Sequence, residues 1–537
     1  MPEPVDVVVV GAGMAGAAIT ATLAARGVRV VCLEQGPWIA ADDYPHHDPL
    51  YDLRRSTDWS TAPDVRQLPW DYPVESQDTQ ALMFNAVGGS SLHYTAVWLR
   101  FRPTDFRRGS EHGLAPDWPI SYSELAPYYD RVDEVIGISG LAGDPAYPPR
   151  APRPCPPLPL GGTGRAAARG LTRLGWHHWP LDLAVLSRDY AGRAACNNCG
   201  GCQAGCPRGS LGSSAVAWWP RALRAGALLR TRARAERVVL DAQGRASGVE
   251  VLDVPSGNRS IVRADRVVVC ANGIGTPRLL SLSDIPNRSD QIGRNLMHHG
   301  LAVIEAWVPE NVASHQGAVG GALYTAEFAE TDRTTRRCVN GFTVVTGSRL
   351  NGPGYQACGS HSGNVAPWGH EHHAWFREHF GRGLCLTVTA EDLPLPENRV
   401  TLSSTMRDPY GLPAPRVTYR LAENDRRLVD FAVDRAQQLA AACDAWDVRV
   451  NRFDAGDHYR PPAWHLMGTA RMGDDPEQSV TDRWHQCWDV PGLYVCDGSS
   501  FVTSGGVNPT ATIAALAVRC AEGMLVDGGR GQSDSRA

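Results

Sequence analysis

The sequence has 537 residues and no run approaching the ~18 consecutive apolar residues of a membrane-spanning helix. Basic residues are not in excess. Lys+Arg is 52 and Asp+Glu is 57, a net charge of −5, which argues against a nucleic-acid-binding protein with its basic footprint. The N-terminus, MPEPVDVVVVGAG, has neither the basic n-region nor the cleavage site of a secretory leader, so a cytoplasmic location is expected. No internal repeat is visible. Hydrophobic residues make up 43% and charged residues 20%, a globular composition in a chain long enough to bury a large core without staples. Cysteine is what the sequence has in plenty. There are 14, and four of them crowd into eleven residues: Cys196, Cys199, Cys202 and Cys206. The other ten are scattered, and most are expected to act as small buried hydrophobes.

The first element is legible from its own residues. A β-branched run, Val5 to Val10, leads into Gly11-Ala12-Gly13-Met14-Ala15-Gly16. A small-residue helix and a second apolar run, ending at Glu34, follow. This is a βαβ unit with the G-x-G-x-x-G turn of dinucleotide-binding folds, and the acidic residue falls eighteen positions beyond Gly16. The glycines allow a tight turn and close approach of a pyrophosphate to the helix N-terminus. Glu34 would accept hydrogen bonds from a ribose hydroxyl and disfavour a 2′-phosphate, which favours FAD or NAD over NADP. Farther on, YSELAPYYDRVDEVIGI has helical periodicity with Ser123 as a possible cap, and residues 143–162 are a proline-rich excursion. Residues 301–420 alternate as strands, ENDRRLVDFAVDRAQQLAAAC is an amphipathic helix, and a last βα unit begins near Gly492.

Further fragments carry more information in combination. They are Val87-Gly88-Gly89-Ser90-Ser91-Leu92-His93-Tyr94, Ala271-Asn272-Gly273-Ile274-Gly275-Thr276-Pro277, GRNLMHH, EDLPLPENRVTL, His465-Leu466-Met467-Gly468-Thr469 and DGSSFVTSGGVNPTATIAALA. In this order they resemble the glucose–methanol–choline (GMC) family of FAD-dependent alcohol oxidoreductases over nearly the whole chain. The resemblance implies an α/β fold with a discontinuous Rossmann-like FAD-binding domain and an α+β antiparallel-sheet substrate domain. The expected division is 1–300, with a Cys-rich insertion at about 190–212, then 301–475, 476–527 and a disordered tail at 528–537.

The resemblance also sets roles on residues. His465 occupies the position of the family's catalytic base, and Asn508 that of its partner. An imidazole can take the hydroxyl proton of an alcohol while the carbon-bound hydrogen leaves as hydride, and an amide can orient the same hydroxyl without competing as a base. FAD would lie against Gly11, Gly13, Met14, Ala15, Gly16, Glu34, Gly88, Gly89, Ser90, His93, Ala271, Asp497, Gly498, Asn508, Pro509 and Thr510. In one branch a His placed as His93 is bears the flavin covalently, and in others the flavin is held non-covalently.

The spacing Cys196-x2-Cys199-x2-Cys202-x3-Cys206-Pro207 matches the bacterial ferredoxin run for iron–sulfur ligation and not the usual paired zinc spacing. Some family branches carry such a centre, and others keep Cys-rich loops without one. Iron–sulfur ligands and structural or disulfide-linked cysteines therefore both stay open. Trp464, beside His465, is the Trp expected to face substrate, while most of the 16 Trp pack in cores and interfaces. Glu391, Asp392, Asp454 and Asp457 would together suit a basic amino sugar, while each taken singly reads as a solvated or structural carboxylate. His370, His372 and His373 are read as surface histidines and not as a metal site. The expected activity is oxidation of a sugar, polyol or amino-sugar hydroxyl, an aminoglycoside hydroxyl among them. The alternatives are a sterol or other hydrophobic alcohol oxidase and an FAD electron-transfer protein without alcohol turnover. The electron acceptor is open among oxygen, a quinone and a redox protein.

Overall fold

The computed structural model describes residues 5–45, 48, 51–55, 57–348, 366–453 and 460–533. Two sheets organise the chain. The first contains β1 (Val5–Val10), β2 (Val30–Leu33), β3 (Leu228–Arg230), β4 (Ala233–Leu240), β5 (Ala246–Asp253) and β6 (Arg259–Val269), in the order β3-β2-β1-β6-β5-β4. The strand Leu493–Val495 adds to β6 in parallel. The long β6 changes partners along its length. Its first half pairs antiparallel with β5, and its second half runs parallel to β1, with Val10 opposite both Leu33 and Val269. The C-terminal ends of β1, β2 and β6 are thereby level, the edge at which open parallel sheets receive ligands. The strands are Val-rich because both faces are covered. Helix α1 (Met14–Ala24) lies against the C-terminal helix Thr510–Ser533, and its alanines allow the close approach.

The second sheet is antiparallel. It holds β7 (Gly300–Trp307), β8 (Leu323–Thr325), β9 (Phe342–Ser348), β10 (Gly383–Ala390) and β11 (Asp447–Arg452), in the order β11-β7-β10-β9-β8, with the short strand Trp179–Pro180 on the outer edge of β8. Strand periodicity divides the side chains between two faces. Ala302, Ile304, Leu384, Leu386 and Val388 pack with the helices Gly161–Leu174 and Glu423–Ala442. Leu301, Val303, Cys385, Thr387 and Thr389 take the opposite face and line a cavity against the first sheet.

The fold corrects one local expectation, the cap of the helix that follows residue 120. The helix Tyr122–Ile136 is capped by Ser121, whose side chain accepts from the Glu124 backbone N–H while Glu124 reaches back to the Ser121 N–H. Ser123 sits inside the first turn, because the capping box needs Glu three residues after the cap. The C-terminal helix continues to Ser533. All 52 cationic side chains are arginine, since the sequence has no lysine. The buried ion pairs, such as Arg66–Asp71 at 2.5 Å and Arg278–Asp408 at 2.7 Å, therefore use the planar guanidinium fork that suits desolvated carboxylates.

Candidate active site

A cavity of about 520 Å³ runs from the glycine-rich turn after β1 to the cavity face of the second sheet. Gly11, Gly13, Met14, Ala15, Glu34, Gly89, Ser90, His93, Ala271, Asp497, Gly498, His465, Asn508, Pro509 and Thr510 all line it. The sequence-derived residues Gly16 and Gly88 do not. Gly16 has a packing role, since a Cβ there would sit 1.9 Å from the Gly11 carbonyl oxygen, and α1 could not approach the turn. Gly88 has φ +107°, a backbone conformation open to glycine, and it sets the turn that presents Gly89 and Ser90. Gly13 contrasts with both: a Cβ there would meet nothing within 4 Å. That open approach lies at the N-terminus of α1, where backbone N–H groups and the helix dipole favour a pyrophosphate.

Glu34 is buried, and its two oxygens accept from the N–H groups of Ala12 and Gly36, each at 2.9 Å. Burial pushes its carboxyl up to about 7 despite these bonds. Asp497 anchors the other side. One carboxylate oxygen accepts from Asn272 N–H at 2.9 Å and from the Thr276 hydroxyl at 2.6 Å, and the other accepts from Ser499 N–H at 2.7 Å. These bonds tie the start of the helix Asn272–Leu282 to the turn after Leu493–Val495. The open cradle at Gly13, the carboxylate at the end of β2 and the length of the cavity fit FAD.

At the far end of the cavity three side chains, His299, His465 and Asn508, form one hydrogen-bonded chain. His299 Nε2 lies 2.6 Å from the Gly505 carbonyl oxygen and 3.2 Å from that of Ser504. Both are acceptors, so His299 Nε2 carries the proton and its Nδ1 holds a lone pair. His465 Nδ1 lies 2.7 Å from that lone pair and must donate to it. The remaining His465 nitrogen, Nε2, is then unprotonated, and it accepts from the Asn508 side-chain N–H at 3.1 Å. Burial, and then the neighbouring His299 and His298, hold the His465 imidazole well below its ordinary range, so it is neutral at physiological pH. Burial lowers His299 as well.

Sequence reasoning missed His299 as a functional residue. It quoted GRNLMHH only as a fragment, and 166 positions separate His299 from His465. Its backbone gives a signal that the sequence does not: φ is +71°, rare for a residue that is not glycine and typical of functionally constrained positions. Leu301, Val303, Val345, Thr387 and Thr389 were also missed as cavity residues, although the alternation of Cys385, Thr387 and Thr389 marks one face of a strand. Trp464 lines the cavity while 45% exposed, so it stands at the mouth, edge-on to Phe453.

The acidic residues proposed to read an amino group are employed elsewhere. Glu391 is paired with Arg108 at 2.5 Å and lies 3.6 Å from Arg102. Asp392 accepts from His298 N–H and from the Tyr419 hydroxyl. Neither lines the cavity. Asp454 and Asp457 fall outside the described residues. His370, His372 and His373 lie on the helix His370–His379, away from the cavity lining.

His93 donates from Nδ1 to the Gln203 carbonyl oxygen at 3.0 Å and packs on Phe84 and Trp59. Its Nε2 is buried without a partner, and burial lowers the imidazole to about 3. Gln203 belongs to the cysteine-rich loop and itself lines the cavity. The four cysteines of that loop do not form a ligand set. Cys199 is exposed, Cys202 is buried, and Cys196 and Cys206 lie between. Among the described residues no three His, Cys, Asp or Glu side chains are grouped to hold a metal ion. The arrangement does not fit the expected iron–sulfur ligation by Cys196, Cys199, Cys202 and Cys206. The described cysteines are all free thiols, which removes the disulfide alternative among them. Spacing in the chain allowed a cluster, but four thiolates must also converge on one centre, and here no three of them are grouped as ligands.

A dinucleotide-binding βαβ unit facing an antiparallel sheet, with an imidazole and an amide at the far end of the shared cavity, defines an FAD-dependent alcohol oxidoreductase. Models of the GMC oxidoreductase family match residues 5–301 and 394–517, and the chain belongs to that family, whose members bind FAD. It is 46% identical to 2-methyl-1,2-propanediol dehydrogenase of Mycolicibacterium austroafricanum, covering 97% of this chain and 95% of that protein. It is 28% identical to the fructose dehydrogenase large subunit of Gluconobacter japonicus, over 97% and 98% of the two chains. It is also 28% identical to paromamine 6′-oxidase of Streptomyces fradiae, over 97% and 91%. Among solved structures, pyridoxine 4-oxidase from Mesorbium loti shares the fold, with a TM-score of 0.65 at 18% identity over 96% of this chain and 98% of that one. No helix among the described residues is long and apolar enough to cross a membrane.

Proposed function

We propose that the protein oxidises a CH–OH group of a small aliphatic polyol, a vicinal diol in the first instance, to a carbonyl, with His465 as the base. The observation that carries this reading is the chain of hydrogen bonds from Gly505 O through His299 and His465 to Asn508, which fixes the His465 lone pair on Nε2. FAD, held by Gly13, Glu34 and the turns at Gly89 and Gly498, supplies the hydride acceptor when bound. A substrate hydroxyl entering beside Asn508 donates its proton to Nε2, and the Asn508 amide then donates to the substrate oxygen as alkoxide character develops. His299 accepts from Nδ1–H throughout, a bond that strengthens as His465 becomes cationic, and it prevents the ring from presenting the wrong nitrogen.

The lining supports a small polyol. Leu301, Val303, Val319 and Val345 would leave most hydroxyls of a pyranose ring without partners. The hydroxyls of Thr387 and Thr389 would be left without partners by a sterol nucleus. An amino sugar loses the support of Glu391 and Asp392, which are committed to Arg108, Tyr419 and the His298 N–H. The diol reading agrees with the name of the 46% identical relative.

The test is anaerobic bleaching of the flavin by 2-methyl-1,2-propanediol. His465→Ala should keep FAD and slow bleaching by a factor of about 10²–10⁴, the usual contribution of a positioned base. Bleaching at the unaltered rate would favour an electron-transfer protein without alcohol turnover.

A further inference from the structure

The cavity face of the second sheet has a polarity pattern that the oxidation step does not use. Rows of side chains cross β7, β10 and β9 in register. One row is Leu301, Thr389 and Thr343, and the next is Val303, Thr387 and Val345. Leu301, Val303, Val345, Cys385, Thr387 and Thr389 all line the cavity, so two hydroxyls stand in a wall otherwise made of aliphatic side chains and one thiol, which lies 3.7 Å from the Thr387 hydroxyl.

The rows differ in their distance from the catalytic histidines. Ala390 pairs with Gly300, which directly follows His299, so Thr389 is one position from the strand end, opposite Leu301 and two residues along from His299. Thr387 is a further two residues along, about 7 Å at the rise of a β-strand. The first row also meets the turn that carries Asn508. The Thr343 hydroxyl donates to the Gly506 carbonyl oxygen at 2.7 Å, two residues before Asn508. That bond engages the Thr343 hydroxyl, and Leu301 offers no polar side-chain atom. Thr389 is therefore the hydroxyl of the row available to a bound alcohol.

We infer that Thr389 reads the second hydroxyl of the substrate, so that the site selects 1,2-diols over monohydric alcohols of the same skeleton. The inference rests on the alcohol-oxidising reading given above. Two hydroxyls on adjacent carbons lie within one hydrogen-bond length of each other. A diol with one oxygen between His465 and Asn508 can thus present the other to the nearer row and not to the farther one. Discrimination comes from both sides, because an alcohol lacking the second hydroxyl leaves a desolvated threonine unpaired.

The experiment compares kcat/KM of the holoenzyme for 2-methyl-1,2-propanediol and 2-methyl-1-propanol. Thr389→Val keeps the shape and removes the hydroxyl. It should lower kcat/KM for the diol about tenfold and leave that for the monohydric alcohol equal or raised, so that the ratio falls at least about tenfold. Thr387→Val should move the ratio by less than about twofold. A Thr389→Val enzyme that loses both activities equally, or keeps the wild-type ratio, overturns the assignment and leaves the alcohol oxidation standing. The same holds if Thr387→Val moves the ratio and Thr389→Val does not. A wild-type flavin bleached by neither alcohol overturns the diol reading itself, before any variant is made.

Discussion

The tautomer chain makes a sharp prediction at His299, which is 2.7 Å from His465 and reaches the substrate only through it. In His299→Ala the His465 Nδ1–H loses its acceptor inside a buried site. An unsatisfied buried donor costs about 1–3 kcal/mol. That penalty falls on the orientation with Nε2 toward substrate, so rotation or tautomer exchange becomes competitive. At 1.36 kcal/mol per factor of ten, the rate of flavin bleaching at saturating diol should drop about 5- to 150-fold. His299→Asn separates orientation from mere disruption. The Asn Oδ1 falls where His Nδ1 stands, so it can accept from His465, although its amide is too short to reach the Gly505 carbonyl. Asn also tolerates the φ of +71° better than most residues do. It should restore most of the lost rate, with FAD content unchanged in both variants. Stopped-flow bleaching under anaerobic conditions reads this directly. A His299→Ala enzyme that bleaches at the wild-type rate would refute the orienting role, as would an Asn variant no better than Ala with full FAD content.

The glycines of the fingerprint should separate by role. Gly13→Val should yield a folded, colourless protein, because a Cβ there meets no protein atom within 4 Å and the side chain would extend into the pyrophosphate approach. Gly16→Ala should instead lower thermal stability, by about 1–3 kcal/mol or more, because its Cβ would strike the Gly11 carbonyl. A thermal melt and the visible absorbance of purified variants check both, and a yellow Gly13→Val protein would count against the placement of the cofactor. At His93, Nδ1 is bonded to Gln203 and the ring packs on Phe84 and Trp59, contacts that hold it in place. The flavin should therefore be non-covalent, and acid precipitation should leave its colour in the supernatant; colour retained in the pellet would contradict this.

Legibility in the sequence followed locality. The fingerprint at Gly11, Gly13 and Gly16 with Glu34 could be read directly, since one βαβ unit contains every residue that it needs. His465 and Asn508 were accessible only through the order of family fragments, since nothing in the spacing of two residues 43 apart places them 3.1 Å from each other. His299 lay in one of those fragments, GRNLMHH, but the role proposed for it depends on which carbonyls its Nε2 meets, and no fragment shows that. Proximity in the chain was misleading at Glu391 and Asp392. They directly follow the cavity-lining strand β10, but the buried Arg108 takes one, and Tyr419 with the His298 backbone takes the other. The cysteine run failed for a related reason. Spacing fixes how far apart α-carbons can be, but the direction of each thiol is set by the packing of the loop against Tyr44, His93 and the cavity wall.

Asp392 shows what the acidic residues do instead of binding substrate. Its carboxylate holds the His298 N–H at 2.7 Å, directly before the strained His299. Its backbone N–H donates to the Ser504 hydroxyl, which in turn donates to the Asp392 carbonyl, each at 3.1 Å. One residue at the end of the second sheet therefore fixes both the segment that presents His299 and the turn whose carbonyls at Ser504 and Gly505 set the His299 tautomer. A left-handed conformation at a residue other than glycine costs about 1–2 kcal/mol. Strain of that size persists only where neighbouring contacts outweigh it, and Asp392, Tyr419 and the 504–505 carbonyls supply those contacts. His299 enters from the second sheet, whereas Asn508 and the carbonyl acceptors come from the turn that leads into the C-terminal helix of the FAD-binding unit. The lone pair on His465 Nε2 thus acquires its direction where the two units meet, which puts the proposed proton acceptor beside the cavity that fits FAD.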